Sequence, residues 1–327
     1  MIKLAVDAMG SDKGSPIVVE AIKRFHEEHK DVEFYVCGKK EELVELESFC
    51  TIIDARDVMQ MEDGALEVMR RRESSMIKAV ELVANGTCEG VVSAGSTGGF
   101  LTAATIKLKL IPGVLRAALL TTFPTVDGKG VVITDIGASN ENTPEHLAQF
   151  ARIGAIFAKN VRKVENPRVY LLSNGAEEKK GSPLVKEAHQ LIKNSNFQYF
   201  KGNLEARYAL NGDADVIITN GFDGNVLLKS TEGTAKMMST LLKNAFKKNI
   251  FTKIGYLFAR SGIKEMTKTM DYKQYGGAML IGVNGVVVKG HGSSDAYAFY
   301  NAIRVTKEMV ESGVVASLKD AMANNEQ

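Results

Sequence analysis

The sequence predicts an α/β protein, built as an α/β/α sandwich around a mostly parallel sheet. Short runs rich in Val and Ile alternate along the chain with segments of helical period, which is typical of βαβ units. Several of these runs are apolar almost throughout, as expected for strands that are covered on both faces. Helix beginnings are also well marked, because Ser15, Thr143 and Ser182 each stand directly before a proline.

The predicted strands are, in chain order, residues 2–7, 32–37, 90–94, 131–136, 168–173, 215–220 and 286–289. We expect the hydroxyls of Ser15, Thr143 and Ser182 to cap the helices that follow them. The helix after Ser182 has the clearest period, with an apolar stripe formed by Leu184, Val185, Ala188, Leu191 and Ile192. Residues 236–270 depart from the alternation and are predicted to form a helical excursion from the sheet.

Composition and length limit the possible classes of protein. The 327 residues include 41 Lys and Arg against 39 Asp and Glu, and this net charge of +2 gives no overall case for nucleic-acid binding. The cysteines, Cys37, Cys50 and Cys88, are odd in number and lack a metal-like spacing, which favours a reducing cytoplasm. No apolar stretch approaches the ~18 residues of a membrane-spanning helix, so any membrane contact is expected to be peripheral. Without a linker or repeat, we interpret residues 1–327 as one α/β domain.

Glycine and small polar residues recur in loops that each follow a predicted strand. There are six such loops, at residues 7–14, 93–99, 135–142, 173–182, 220–225 and 290–294. In a parallel sheet these loops share the carboxyl edge, where open α/β folds bind ligands, so we expect them to converge on one crevice. The alternative is that the glycines only close turns and cap helices.

One of these loops, SAGSTGG at residues 93–99, has the composition of an anion site. Its glycines, with the hydroxyls of Ser96 and Thr97, directly precede a helical stretch, so that backbone N–H groups are directed at one spot. Phosphate is the most natural ligand, although the loop matches neither the P-loop nor the GxGxxG pattern. In the loop 173–182, Lys180 is the better candidate of two adjacent lysines to neutralise a bound anion.

The sequence lacks the motifs of several common catalytic sites. There is no HExxH spacing, no GxSxG elbow, and no cysteine in any of the six loops. His291 is the only histidine in a glycine-rich loop, while surface or core roles are expected for His26, His29, His146 and His189. The loop aspartates are too scattered to predict a metal site. The amides, hydroxyls and lysines of the six loops fit a reaction whose nucleophile is itself an anion, such as inorganic phosphate. Such a reaction needs positioning of the nucleophile and hydrogen-bond donors for the oxyanion more than it needs a general base.

The sequence resembles that of a known protein family. The motifs that carry the resemblance are, in order, LAVDAMGSD, RRRESSMIKAVELV, VSAGSTGG, PEHLAQFA, EEKKGS, FKGNLEAR, NGFDGNVLLK, YGGAMLIGVNG and GHGSS. They are similar, over nearly the whole length, to the bacterial phosphate acyltransferases of phospholipid synthesis, the PlsX type. The resemblance implies a fold like that of phosphotransacetylases and isocitrate-type dehydrogenases. It also implies transfer of a fatty acyl group from acyl-[acyl carrier protein] to inorganic phosphate, giving the acyl phosphate used for glycerol-3-phosphate acylation, without metal or other cofactor.

The resemblance also implies roles for individual residues. We expect Lys180 and Asn225 to be catalytic, with Asn225 orienting the thioester or its oxyanion; the alternative for Asn225 is a helix cap. The residues expected to bind phosphate or substrate are Asp7, Gly95, Ser96, Thr97, Gly98, Asp135, His291 and Ser293. The chain departs from the family pattern at Ser96, Asn220 and Ser182, where members commonly have Asn, Asp and Asn.

The partners implied by the resemblance are an acidic carrier protein, a second copy of the chain and the membrane surface. A basic dock for the carrier protein is expected at Arg70, Arg71 and Arg72, or alternatively at Lys107, Lys109 and Arg116. Residues 233–264 contain seven cations and no acid. This basic, amphipathic segment predicts peripheral contact with anionic lipid through Phe251, Leu257 and Phe258, or else a helix pair buried in a homodimer.

Three other functions remain open from the sequence. A phosphotransacetylase would use the same chemistry with acyl-coenzyme A as donor. A metal- and NAD-dependent decarboxylating dehydrogenase would need clustered carboxylates. A non-catalytic acyl-binding scaffold would form no product.

Overall fold

The computed structural model describes residues 1–63 and 65–324, which fold as two compact units. The first unit comprises Met1–Thr121, Ala155–Asn166 and the residues from Lys273 onward, and the second comprises Thr122–Gly154 and Pro167–Tyr272. The interpretation of the chain as one domain stays a prediction.

The helices and strands alternate through most of the chain. The strands are β1 (Ile2–Asp7), β2 (Val32–Gly38), β3 (Cys50–Asp54), β4 (Gly90–Ser93), β5 (Ala118–Phe123), β6 (Val131–Thr134), β7 (Val169–Ser173), β8 (Phe200–Glu205), β9 (Val216–Ile218), β10 (Ala278–Ile281) and β11 (Val286–Lys289). The α-helices are α1 (Ser15–Glu28), α2 (Ala65–Arg70), α3 (Ser75–Ala84), α4 (Thr97–Leu108), α5 (Pro144–Asn160), α6 (Pro183–Asn194), α7 (Gly221–Lys247), α8 (Ile250–Thr269), α9 (Ala296–Ser312) and α10 (Val314–Ala323).

The sheet of the first unit has the order β3-β2-β1-β4-β11-β10-β5. Its strands are parallel except that β10 runs antiparallel to both of its neighbours. Leu4, Ala5 and Val6 are successive residues of β1 and all are fully buried. Since successive side chains point to opposite faces, helices must cover this sheet on both sides, which confirms the predicted α/β class.

The sheet of the second unit has the order β6-β9-β7-β8, and its strands are all parallel. Val132, Leu171 and Ile217 at its centre are completely buried. The strands of both units confirm the prediction of a mostly parallel sheet.

The seven predicted strands are all present, and their ends agree with the prediction to within two residues. The prediction missed β3, β5, β8 and β10. A short apolar run such as ALLTTF in β5 has no periodicity that separates a buried strand from a helix. The edge strand β8 contains a glycine, which weakens the strand signal.

Two of the three predicted helix caps are confirmed. The Thr143 hydroxyl accepts a hydrogen bond from the His146 N–H at 3.4 Å, and Ser182 accepts one from Val185 at 3.3 Å. The prediction for Ser15 is wrong, because its hydroxyl instead donates to the Glu42 carboxylate at 2.6 Å. Gly14 occupies the N-cap of α1 and leaves Ser15 inside the helix.

The helical excursion is longer than the predicted segment 236–270. It begins at Gly221, where Asn220 caps α7 by accepting from the Asp223 N–H at 2.9 Å. With 27 residues, α7 is about 40 Å long. We call α7 and α8 the helical hairpin; their rings Phe246 and Tyr256 meet edge to face at 5.4 Å.

The helical hairpin is exposed over most of its length. Within these two fully described helices, α8 buries no residue and α7 buries only two glycines at its start. Among the described residues, no helix combines the length and apolar character needed to cross a membrane.

Arg168 and Asp215 stabilise the amino-terminal ends of β7 and β9. The Arg168 guanidinium donates to both carboxylate oxygens of Asp215, at 2.9 and 3.1 Å, and the Arg168 N–H donates to the same carboxylate at 2.8 Å. Burial opposes ionisation of Asp215, but the hydrogen bonds from Arg168 outweigh it, so the pKa of this carboxyl lies below its ordinary value. Its contribution to stability is therefore complete above the unfolded-state pKa of about 3.9 and is lost as the pH falls through the lower folded-state pKa.

We expect Asp215→Asn to lower the free energy of unfolding by about 1–2 kcal/mol at pH 7, with a smaller loss below about pH 4. Urea denaturation at both pH values measures the difference. Asp213→Asn, which changes an exposed neighbour, is the control and should stay within about 0.5 kcal/mol of wild type. An equal loss for Asp215→Asn at both pH values would contradict the linkage to this ion pair.

Candidate active site

The six glycine-rich loops fall into two groups of three. In the first unit, loops follow the adjacent strands β1, β4 and β11, which run parallel. In the second unit, loops follow β6, β9 and β7, which are also adjacent and parallel. Each unit therefore carries one cluster of loops at the carboxyl edge of its sheet, and we call these the first and second loop clusters. The expectation that all six loops meet in one crevice stays a prediction.

Asp7 is buried under the first loop cluster and accepts hydrogen bonds from the segments around it. Its side chain is only 1% exposed, and its two oxygens accept hydrogen bonds from the hydroxyls of Ser75 and Ser93, each at 2.6 Å. The Ser93 oxygen in turn accepts the Gly95 N–H at 3.0 Å. Asp7 therefore fixes the backbone of the 93–99 loop, with both of its oxygens occupied by protein donors.

The 93–99 loop presents an exposed helix beginning. Ser96 is buried and caps α4 by accepting the Gly99 N–H at 3.3 Å, while its hydroxyl donates to the Asp63 carbonyl at 2.9 Å. Thr97 and Gly98, the next two residues, are exposed, and nothing lies within 4 Å of the position that a Gly98 Cβ would occupy. The first N–H groups of a helix have no partner within it, so this turn offers donors to an anion.

Close packing of two loops explains two of the glycines in the first cluster. A Cβ on Gly10 would lie 2.5 Å from the Gly95 Cα, and a Cβ on Gly95 would lie 2.5 Å from the Met76 side chain. The approach to backbone excludes any larger residue at Gly10, whereas the tight contact at Gly95 is with the movable end of the Met76 side chain, and the Gly10 Cα lies at 3.2 Å. The backbone of the 93–99 loop is therefore held directly against the loop that follows β1.

His291 and Ser293 form a small hydrogen-bonded unit in the loop after β11. The Ser293 N–H donates to His291 Nδ1 at 3.2 Å, and the Ser293 Oγ lies 2.8 Å from the same nitrogen. Because Nδ1 is an acceptor here, the neutral imidazole carries its proton on Nε2. Both residues are exposed, so this Nε2–H group belongs to the surface of the first loop cluster.

Lys289 is a residue that the sequence analysis missed. It ends β11 and is only 6% exposed, and its ammonium group donates to the Gly290 carbonyl. Lys289 is in register with Ser93, which is in register with Asp7, so these side chains project from the same face of adjacent strands. The only signal in the sequence is a lysine closing the apolar run VVVK.

Asp135 plays the corresponding part in the second loop cluster. It is completely buried, and its carboxylate accepts the N–H groups of Gly137, Ala138 and Ser139 at 3.1, 2.9 and 3.0 Å. The start of α7 packs directly on this loop, because a Cβ on Gly224 would lie 1.9 Å from the Asp135 carbonyl oxygen. Asp135 therefore shapes the loop that supports α7.

Asn225 lies exposed at the start of the second turn of α7. Its side chain faces Gly137, whose Cβ position would lie 3.7 Å from the Asn225 carboxamide carbon. The alternative that Asn225 caps the helix is wrong, since α7 begins four residues earlier and Asn220 is its cap. The Asn225 amide is therefore not used to cap α7.

Lys180 lies exposed in the loop after β7, which we call the lysine loop (residues 173–182). Its backbone N–H donates to the Glu177 carbonyl at 2.9 Å. Gly181 follows with φ +105°, a conformation that favours glycine. Lys180 and Asn225 belong to the second unit, whereas Gly95, Ser96, Thr97, Gly98, His291 and Ser293 belong to the first.

The cysteines do not provide a nucleophile. Burial raises the pKa of Cys50 and of Cys88 to about 12 and also raises the pKa of Cys37. At neutral pH these thiols are therefore protonated, and the thiolate is the reactive form. This agrees with their position outside the six loops.

Comparison with known proteins connects this arrangement to an activity. The family described as "Fatty acid synthesis protein" matches residues 2–317. The chain is 39% identical to a phosphate acyltransferase of Staphylococcus aureus strain MRSA252 and 38% identical to that of strain Newman, over the full length of both chains. The chain belongs to the phosphate acyltransferase family. It is an acyltransferase enzyme, and its relatives support phosphate acyl transfer as the chemistry.

Solved structures agree on the fold. A phosphotransacetylase from Streptococcus pyogenes superposes with a TM-score of 0.64 at 19% identity, covering 95% of this chain and 94% of that one. A branched-chain phosphotransacylase from Enterococcus faecalis superposes with a TM-score of 0.61 at 18% identity, covering 95% and 100%. At these identities the likeness concerns the fold alone, and it confirms the predicted phosphotransacetylase-like architecture.

The predicted carrier-protein dock at Arg70, Arg71 and Arg72 is surrounded by acids. Arg70 pairs with Glu67 at 2.9 Å, and Arg71 pairs with Asp57 at 2.8 Å and with Asp63 at 2.9 Å. Arg71 therefore helps to hold its own segment in place. Docking at this surface stays a prediction, with a smaller local excess of positive charge than the sequence indicates.

The residues predicted to contact the membrane lie on α8. Phe251, Leu257 and Phe258 are 80%, 60% and 85% exposed. Such exposure is unusual for large apolar side chains that are grouped on one element. Contact of these residues with the membrane stays a prediction.

We expect Asp7→Ala to lower the free energy of unfolding by about 2–5 kcal/mol, because it leaves the buried hydroxyls of Ser75 and Ser93 without their acceptor. The urea midpoint measures this loss. Asp12→Ala removes an exposed carboxylate from the same loop and should change stability by no more than about 0.5 kcal/mol. Equal losses in the two variants would show that the buried network is not the cause.

Proposed function

We propose that this enzyme transfers a fatty acyl group from acyl-[acyl carrier protein] to inorganic phosphate, giving an acyl phosphate for glycerol-3-phosphate acylation. The observation that carries the proposal is the full-length identity of 39% to a protein named phosphate acyltransferase. The two loop clusters support it, because they offer amides, hydroxyls and lysines for anionic and carbonyl groups.

In the proposed reaction, a phosphate oxygen attacks the thioester carbon and forms a C–O bond. The C–S bond then breaks, and the electron pair leaves with the carrier-protein thiolate. Because such a thiol has a pKa near that of cysteine, about 8.5, its departure does not require a general acid. No metal or organic cofactor takes part in this scheme.

The exposed residues of the loop clusters receive the direct roles. We assign phosphate binding to the N–H groups of Gly98 and Thr97 and to the Thr97 hydroxyl, which lie at the start of α4. Lys180 stabilises the negative charge of phosphate and of the transition state. The Asn225 amide donates a hydrogen bond to the thioester oxygen as it becomes an oxyanion.

The two buried aspartates receive indirect roles. Asp7 and Asp135 were both expected to bind phosphate or substrate, but each is nearly or completely buried and accepts hydrogen bonds from its own loop. A carboxylate would also repel phosphate. We therefore propose that both residues position their loops without touching the substrate.

A basic surface is expected to receive the acidic carrier protein. In the second candidate dock, Lys107 pairs with Glu81 at 2.6 Å. Lys109 and Arg116 are exposed and, within residues 1–63 and 65–324, make no ion pair, in contrast to Arg70 and Arg71. This difference favours the surface around Lys109 and Arg116 as the dock.

The reaction is tested by supplying acyl-[acyl carrier protein] and phosphate and trapping acyl phosphate as its hydroxamate. Acyl-coenzyme A as an alternative donor tests the phosphotransacetylase hypothesis. We expect product only with phosphate and faster turnover with the carrier-protein donor. Absence of product with both donors would overturn the proposed function, and product with acyl-coenzyme A alone would establish the alternative.

We expect Lys180→Ala to lower turnover by about 10²- to 10³-fold, because it removes a cation that stabilises transition-state charge. Lys179→Ala removes the adjacent exposed lysine and should leave turnover unchanged within about twofold. Near-normal turnover of folded Lys180→Ala would remove this residue from the mechanism.

We propose that the enzyme is cytoplasmic and contacts anionic membrane through the helical hairpin. Seven cations and no acid occupy residues 233–264, and the apolar side chains of α8 are exposed. A homodimer that covers part of the same apolar surface is the second candidate, and both occur together if the dimer leaves Phe251 and Phe258 exposed.

We expect the triple variant Phe251→Ser, Leu257→Ser, Phe258→Ser to lose flotation with vesicles that contain anionic lipid, because it removes the apolar contact. The double variant Val44→Ser, Val126→Ser changes exposed apolar residues elsewhere and should float like wild type. Unchanged flotation of the triple variant, with a shift from dimer to monomer in sedimentation, would assign this surface to the second copy instead.

A further inference from the structure

The motif FKGNLEAR contributes a buried polar residue that the proposed mechanism does not use. Asn203 lies in β8 and is only 5% exposed. Its side-chain Nδ2 donates to the Glu177 carbonyl in the lysine loop at 2.9 Å. The Lys180 N–H donates to this same carbonyl, also at 2.9 Å. One carbonyl oxygen therefore joins the side chain of Asn203 to the backbone of Lys180.

His189 fixes the orientation of the Asn203 amide. The His189 Nδ1 lies 2.8 Å from the Asn203 Oδ1, and the His189 ring is only 3% exposed on α6. Since the Asn203 Nδ2 donates to a carbonyl, its Oδ1 must be the acceptor, and His189 Nδ1 must carry a proton. A reversed amide would place two oxygens together at Glu177. The Phe200 ring packs edge to face on His189 at 5.1 Å and holds the imidazole in place.

The Lys180 side chain is exposed, but its stem packs on the lysine loop. A Cβ on Gly175 would lie 2.7 Å from the Lys180 Cγ, so the stem of the lysine packs against this glycine. On the other side, a Cβ on Gly181 would lie 2.5 Å from Val185 at the start of α6. The direction of the Lys180 side chain therefore depends on the path of the loop backbone between these glycines.

We propose that Asn203 and His189 are positioning residues, which hold the lysine loop so that Lys180 is presented to phosphate. This proposal rests on the role given to Lys180 in the proposed function. A buried amide and a buried imidazole are costly unless hydrogen-bonded, and apolar residues of similar size would fill this space without that cost. The polar pair has a specific use here, because the Asn203 side chain adds a second hydrogen bond to the Glu177 carbonyl, beside that from the Lys180 N–H.

The kinetic test is a double-mutant cycle of Asn203→Ala with Lys180→Met. We expect Asn203→Ala alone to lower turnover by about 10- to 100-fold and to raise the KM for phosphate, because a displacement of about 1 Å is enough for such a loss. In the Lys180→Met background, Asn203→Ala should lower turnover by no more than about twofold further. Independent, multiplicative losses would overturn the proposal, since they would show that Asn203 does not act through Lys180.

A second readout does not depend on activity. Residue-resolved hydrogen exchange follows the Lys180 amide, which the Glu177 carbonyl protects. We expect Asn203→Ala to accelerate exchange at residues 178–181 and to leave the later turns of α6 unchanged. Asn194→Ala removes an exposed asparagine from α6 and should change neither exchange nor turnover. If Asn203→Ala does not fold, Asn203→Asp keeps the size and the acceptor for His189, removes the donor to Glu177, and enters the same two experiments.

The outcomes separate this proposal from the proposed function. Failure of the wild-type enzyme to form acyl phosphate would overturn the function, while the exchange experiment would still decide whether Asn203 holds the loop. Normal product formation together with unchanged exchange in the Asn203 variant would overturn the positioning role alone.

Discussion

Burial of a carboxylate at the end of a parallel strand is the constraint on which both loop clusters depend. A buried, ionised carboxylate is tolerated only when donors surround it. Asp7 obtains these donors from the hydroxyls of neighbouring segments, and Asp135 obtains them from the N–H groups of its own loop. In both units the loop must therefore adopt one path, and the exposed residues that follow are presented in a fixed direction.

The backbone of the lysine loop is also fixed by a buried polar group, but this group is neutral. Its carbonyl at Glu177 is held by a buried asparagine whose amide is oriented by a buried histidine. A buried carboxylate in this loop would form an ion pair with Lys180. In the proposed mechanism, that ion pair would compete with phosphate for the lysine. An amide fixes the backbone without attracting the side chain, which suits the role proposed for the Lys180 ammonium group in binding phosphate.

The helical hairpin follows different rules from the rest of the chain. Helices α1, α3 and α9 each bury an apolar face, whereas α7 and α8 bury almost nothing within the chain. Exposed apolar side chains combined with a long stretch of cations are the basis of the proposed contact with anionic lipid or with a second copy of the chain. An acyl phosphate is an amphiphile, so a contact that brings the enzyme to lipid would suit the product of the proposed reaction.

Periodicity and motif spacing determined the fold class and seven of the strands, six of which carry the glycine-rich loops. These properties are local, because strand period, helix caps and glycine-rich turns depend on neighbours in the chain. Four strands were missed, because a short apolar run such as β5 has no period of its own and the glycine in β8 weakens its strand signal. The tertiary structure alone decided that Asp7 and Asp135 are buried beneath their loops, that Asn220 rather than Asn225 caps α7, and that Lys289 is buried beside Ser93. It also joined His189, Asn203 and Glu177. Such pairings depend on which strands become neighbours, and this is set by packing between segments far apart in the sequence.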